Sequence, residues 1–167
     1  MQPMANIALR AARKAADFIL LSFDRPDQLR IEEKTSKDFV SNIDKRAEEI
    51  IVEQIQTTYP THNILAEESG TTQVDKSNEY TWIVDPIDGT LNFIRGIPHF
   101  AVSIGIQKGK HLEHGVIVDP INREEYVASR GYGATLNGKK IRVSSSESLQ
   151  DGLVSAGIAP SNINQRL

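Results

Sequence analysis

The apolar, β-rich run Tyr80 to Val84 leads without a break into Asp85-Pro86-Ile87-Asp88-Gly89-Thr90. Pro86 and Gly89 both oppose continuation of a strand. The spacing therefore predicts a strand that stops at Val84, a turn, and a short helix over Leu91 to Ile94 with Thr90 as its cap. Asp85 and Asp88 stand on either side of the Pro–Ile turn, so both can point into one pocket. Taken alone, the same residues are also ordinary turn composition.

The elements around this segment set its context. Apolar residues at helical spacing from Ala5 to Phe23, many of them alanine, predict an amphipathic helix that makes a close packing contact. Leu29 to Lys37 breaks the periodicity and reads as a polar loop. A second helix is predicted from Asn42 to Tyr59, with Ile43, Ala47, Ile50, Ile51 and Ile55 on its buried face and Pro60 as its stop. Asn63 to Ala66 reads as a short strand that delivers Glu67-Glu68-Ser69-Gly70, and Thr71 to Asn78 as a surface loop. From Phe100 onward the texture is β: Phe100 to Gln107, His111 to Asp119 and Glu124 to Ser129 are predicted strands. Asn137-Gly138 is a strong hairpin signal, and Gly152 to Ala156 reads as the start of another strand. Two helices followed by closely spaced antiparallel strands imply an α+β fold, with the helices packed on a mostly antiparallel sheet.

Composition narrows the chemistry. A chain of 167 residues without cysteine has no disulfide, thiolate metal site or cysteine nucleophile. The net charge of −3 gives no general reason to expect nucleic-acid or membrane binding. No segment is apolar for long enough to span a bilayer, and the N-terminus, interleaved with Arg10, Arg13, Lys14 and Asp17, is not a secretory signal. A cytoplasmic protein is expected.

Glu67 and Asp85 each follow an apolar strand, so adjacent strand ends would bring them together, with Asp88 one turn away. Clustered carboxylates repel unless a cation neutralises them. Oxygen donors without cysteine or a nearby histidine favour Mg²⁺, Ca²⁺ or Mn²⁺ over zinc. Gly89-Thr90 at a helix start offers backbone N–H groups to an anion. Metal-binding carboxylates beside phosphate-binding donors describe two-metal hydrolysis of a phosphate ester. The bland alternatives are that Glu67-Glu68 is a solvated pair and that Asp38 and Asp44 cap the second helix. His62, His99, His111 and His114 are scattered and read as non-catalytic. Lys139, Lys140 and Arg142 read as a solvated hairpin, and Lys34 and Lys37 as part of a solvated loop.

Trp82 through Phe93 resembles the signature of the inositol monophosphatase family. Asp38-Phe39-Val40-Ser41-Asn42-Ile43-Asp44, Ile64-Leu65-Ala66-Glu67-Glu68-Ser69-Gly70, and Gly131-Tyr132-Gly133-Ala134 with Asn137-Gly138 resemble further motifs of it. The resemblance implies the first half of a layered αβαβα sugar-phosphatase fold and an Mg²⁺-dependent phosphomonoesterase acting on myo-inositol monophosphate, with no covalent enzyme intermediate. It implies that Glu67, Asp85 and the Ile87 carbonyl hold one metal, and that Asp85 and Asp88 hold a second. It also implies that Glu67, Thr90 and Asp44 orient the attacking water, that Asp38 and Asp44 lie near a weaker third metal, and that Glu67, Ile87, Asp88, Gly89 and Thr90 contact substrate. The choice of Glu67 over Glu68 rests on the resemblance. Two or three Mg²⁺ ions, inhibition by Li⁺ and a homodimer at full length are implied as well.

Two departures qualify this. Leu91 stands where many members have threonine. The family's W-D motif, whose aspartate completes the second metal site, has no counterpart here. Residues 1–157 are therefore expected to form the metal- and phosphate-binding domain and 158–167 a divergent tail, with a second domain missing. Two alternatives stay open. One is a related phosphatase acting on a sugar bisphosphate or a phosphoadenosine nucleotide. The other, since bacterial relatives associate with transcription machinery and RNA, is a binding protein impaired in catalysis.

Overall fold

The computed structural model describes residues 2–35, 38–72, 75 and 77–153, with no side-chain description for 33–40 and 151. The Lys34 and Asp38 side chains, Lys37, most of the strand expected over Gly152 to Ala156, and the 158–167 tail lie outside what is described.

Helix α1 (Pro3–Phe23) and helix α2 (Asn42–Thr58) pack on one face of an eight-stranded sheet. The sheet runs β10-β9-β8-β7-β6-β5-β3-β4, with β3 at Asn63–Ala66, β4 at Gly70–Thr72 and β5 at Tyr80–Asp88. The order continues with β6 at Ala101–Lys108, β7 at His111–Asp119, β8 at Glu124–Ser129, β9 at Gly133–Leu136 and β10 at Lys139–Ile141. Every adjacent pair is antiparallel except β3 with β5. This is the expected α+β architecture.

The alanines of α1 explain its close approach. Ala5, Ala8, Ala11, Ala12 and Ala15 are fully buried, and the helix lies against α2, β6 and β7. Arg13 adds a bidentate clamp to Glu125 on β8, at 2.6 and 2.7 Å. Trp82, Val84, Val102, Ile104, Ile106, Val116 and Val118 complete the core from the sheet. Asn137 (φ 48°) and Gly138 (φ 77°) form the β9–β10 turn with two positive φ values, the geometry that Asn-Gly favours.

Three expectations need correction. Leu29 to Lys37 is not simply a loop: Ile31–Thr35 forms β1, paired antiparallel with β2 (Asp38–Ser41). Its residues lack an apolar alternation because the ribbon stands apart from the main sheet, so pattern alone gave no strand signal. Thr71 and Thr72, expected at the start of a surface loop, instead belong to the edge strand Gly70–Thr72; their polar side chains are tolerated because they are exposed. Finally, β5 does not stop at Val84 but runs on to Asp88.

The opposite face of the sheet carries a continuous row across all eight strands, paired in register: Ile141, Ala134, Ala128, Gly115, Gly105, Ile83, Leu65, Thr71. Small residues in the middle, flanked by Ile and Leu, make a shallow apolar trough. Ile117 and Leu112 beside it are 45% and 59% exposed. No described helix covers this face.

Candidate active site

Strand β5 passes Pro86 by means of a bulge. Asp85 pairs with Ser103 and Asp88 with Ala101, so Pro86 and Ile87 together oppose the single residue Val102. The bulge is where proline is admissible in a paired strand. It also has a chemical consequence. Residues three apart on a regular strand point to opposite faces, but the extra residue returns Asp88 to the face of Asp85. Pro86 and Ile87 are buried, whereas Asp85 is half-buried and Asp88 exposed, both on the trough side of the sheet.

Glu67 joins them from β3. Ala66 pairs with Val84 in the parallel ladder, and the Glu67 N–H donates to Val84 O at 3.1 Å, which carries the register one residue further. Glu67 and Asp85 thus sit at the carboxyl ends of neighbouring parallel strands. Burial raises the Asp85 carboxyl to about 8, with further upward push from the charge of Glu67, a hydrogen bond with Glu67 and the charge of Asp88. The Asp85 Oδ1 is buried with no hydrogen-bond partner.

Asp44 reaches the same place from α2. Ser41 is the N-cap: its Oγ accepts from the Ile43 and Asp44 N–H groups at 3.1 and 3.4 Å. The Asp44 side chain answers by accepting from the Ser41 N–H at 2.9 Å and from the Ser41 hydroxyl. Its other oxygen, Oδ1, lies 2.9 Å from the Thr90 Oγ1, which is equally close to the Ile87 carbonyl. One hydroxyl proton is shared between these two acceptors. Asp44 is therefore both the capping-box acid and a partner of Thr90, and it is 1% exposed. Asp38 is not the cap; it opens β2.

Gly89, not Thr90, is the residue before α3 (Thr90–Ile94), and Thr90 is its first helical residue. Gly89 has φ 101°, and a Cβ there would sit 3.0 Å from the His99 carbonyl. Both the backbone angle and the close approach call for glycine. Beyond Asp88 and Gly89 opens a cavity of about 370 Å³, also lined by Asn92, His99, Phe100 and Asp119.

Glu48 escaped the sequence reading. It lies one turn after Asp44 on α2, 4% exposed. Its Oε2 accepts from the Glu68 N–H at 2.7 Å and its Oε1 from the Ser69 N–H at 2.9 Å. The signal was present: Asp44 and Glu48 fall on the stripe that Ile51 and Ile55 continue, and an acid on a buried stripe needs partners to offset its burial.

The structure thus brings together Glu67, Asp85, Asp88, Ile87, Gly89, Thr90 and Asp44. Among the described residues, no three acidic or histidine side chains close tightly enough to cage an ion. The donor set still fits a hard cation: the Asp85 carboxyl, pushed up by its burial beside Glu67, a third carboxylate, Asp88, within electrostatic reach and an orphaned Asp85 oxygen, all oxygen ligands.

A family model for the inositol monophosphatase family matches residues 1–166. The chain belongs to the inositol monophosphatase family. It is 49% identical over 158 residues to the Nus factor SuhB of Pseudomonas aeruginosa, covering 94% of this chain and 58% of that protein. The crystal structure of the extragenic suppressor protein suhB from Bartonella henselae superposes with a TM-score of 0.85 at 37% identity, over 89% of this chain and 57% of that one. The Thermotoga maritima IMPase superposes with a TM-score of 0.77 at 34% identity, over 86% and 55%. The chain thus spans somewhat more than half the length of the relatives it matches.

Proposed function

We propose that this chain carries the metal- and phosphate-binding part of an Mg²⁺-dependent phosphomonoesterase whose substrate is a small polyol phosphate such as myo-inositol monophosphate. The observation that carries this reading is the bulge that turns Asp85 and Asp88 onto one face beside Glu67, directly against the Asp44–Thr90 pair. Glu67, Asp85, Asp88 and the Ile87 carbonyl would hold the metal. When bound, Mg²⁺ supplies charge neutralisation and makes water a better nucleophile near neutral pH.

The remaining work falls to this chain's own groups. Asp44 holds the Thr90 hydroxyl, so that Thr90 Oγ1 can accept a proton from an attacking water while its own proton passes toward Asp44. Gly89 lets the backbone turn without a side chain against His99, which keeps space for the phosphate. The cavity beyond Asp88, with Asn92 and Asp119 on its walls, offers hydrogen-bonding groups to the hydroxyls of the polyol. Residues 1–157 act as one domain in this reading, and catalysis in a longer protein draws a further carboxylate from a second one.

The test is Mg²⁺-dependent phosphate release from inositol monophosphate by a full-length version, together with the Mg²⁺-induced rise in melting temperature of this chain, each with and without Asp85→Asn. Loss of both in the variant is expected. An unchanged Mg²⁺ response would refute the assignment of Asp85.

A second reading has its own support. The Pseudomonas aeruginosa relative is named a Nus factor, which favours a binding role with transcription machinery, independent of turnover. Co-purification with transcription complexes that survives Asp85→Asn supports that role, and loss of it on this substitution contradicts an activity-independent one.

A further inference from the structure

We infer that Glu48 is a positioning residue for the site: through the backbone of Glu68 and Ser69 it fixes where Glu67 presents its carboxylate. The inference deepens the metal-dependent reading above and rests on it. Glu48 is a buried acid on a helix, and both of its oxygens are spent on two consecutive backbone N–H groups of another segment. That segment, residues 67–69, is the turn between β3 and β4, whose ladder resumes at the Ala66–Gly70 pair. Inside such a turn the N–H groups have no strand to meet, and Glu48 replaces the ladder with a fixed pair of acceptors.

The turn is then held at both ends. The Glu67 N–H is tied to Val84 on β5, and the next two N–H groups are tied to α2. Glu67 keeps an exposed side chain on a backbone tied at three consecutive N–H groups, which is what a ligand needs if it is to meet Asp85 at constant distance. Asp44 and Glu48, four residues apart and so on one helix face, divide the task. Asp44 holds Thr90 after β5, and Glu48 holds the turn after β3. A single rigid helix thereby sets the separation between the two halves of the site. Partners that orient ligands in this way usually matter to a metal site by roughly 10–100-fold in affinity.

The experiment is an Mg²⁺ titration of the 167-residue chain, followed by the backbone resonances of Glu67 and Asp85, for the parent and for Glu48→Gln. The glutamine keeps the size and one acceptor but sets an NH₂ against the second N–H. The expected result is a Mg²⁺ midpoint shifted upward roughly 10–100-fold, together with faster amide exchange at Glu68 and Ser69, below the variant's melting temperature. A variant that melts lower but keeps the parental midpoint shows a purely structural role and overturns the inference alone. A parent chain in which Mg²⁺ moves neither resonance overturns the metal reading, and the inference with it. Should Glu48→Gln not fold, amide exchange in the parent decides. Slow exchange at Glu68 and Ser69 that slows further with Mg²⁺ supports the inference, and exchange at open-loop rates overturns it.

Discussion

Asp85 shows how a residue proposed as a metal ligand opposes the fold that carries it. Its folded-state value of about 8 lies above the ordinary 3.8, because the carboxyl is buried beside Glu67 and Asp88. As pH rises through that window, the unfolded chain gives up this proton before the folded chain does. The unfolded state therefore binds fewer protons, and folding is progressively disfavoured toward higher pH. Asp85→Asn removes the ionisation. In metal-free buffer the variant should gain stability over the parent as pH rises from about 5 to about 8.5, read as a widening gap in melting temperature. In the proposed metal site Mg²⁺ would compete with the same proton, so its stabilisation of the parent should be larger at the higher pH. A gap that is constant with pH would mean that Asp85 is not the group held protonated.

At the level of elements, α2 and the chain after it organise both the site and the core. His62 follows α2 and stacks between Tyr59 and Tyr80 at 4.7 and 5.0 Å. Its Nδ1 accepts from the Trp82 indole at 3.0 Å, so the neutral ring carries its proton on Nε2. Burial lowers its pKa, so its contribution to stability is present above the unfolded value of 6.5 and is lost as pH falls below it. A second proton would enter at Nδ1 and take the acceptor away from the fully buried Trp82. His62→Phe keeps the stack but orphans the indole at every pH. It should cost about 1–3 kcal/mol near pH 7.5, and the gap to the parent should narrow toward pH 5. Trp82, the single tryptophan, reports the melts; an equal gap at both pH values would contradict the mechanism. The sequence made α2 legible through its apolar stripe, and the adjacent strand ends placed Glu67 beside Asp85. It hid the bulge, because a proline reads locally as a stop and only pairing with Val102 shows that the strand continues. It marked Glu48 as an acid on the buried stripe but hid what offsets its burial, because the partners are backbone N–H groups, which leave no trace in residue type.

For the whole molecule, the decisive asymmetry is between the two faces of the sheet. One is packed by α1 and α2; the other exposes the trough from Ile141 to Leu65, with Ile117 and Leu112 beside it. Among the described residues no membrane-spanning helix accounts for this apolar surface. Asp85 shares the open face: with Ser103, Ile117 and Tyr126 it forms the row next to the trough. A 167-residue chain purified alone has nothing described to cover it, and exposed apolar surface of this kind drives association. It should sediment as a concentration-dependent mixture of oligomers and bind a hydrophobic dye. Ile117→Lys with Leu112→Lys, both at exposed positions, should shift it toward monomer at little cost in stability, since surface changes usually stay within about 0.5 kcal/mol. A parent chain that sediments as a single monomer with no dye binding would show that the trough is covered from within.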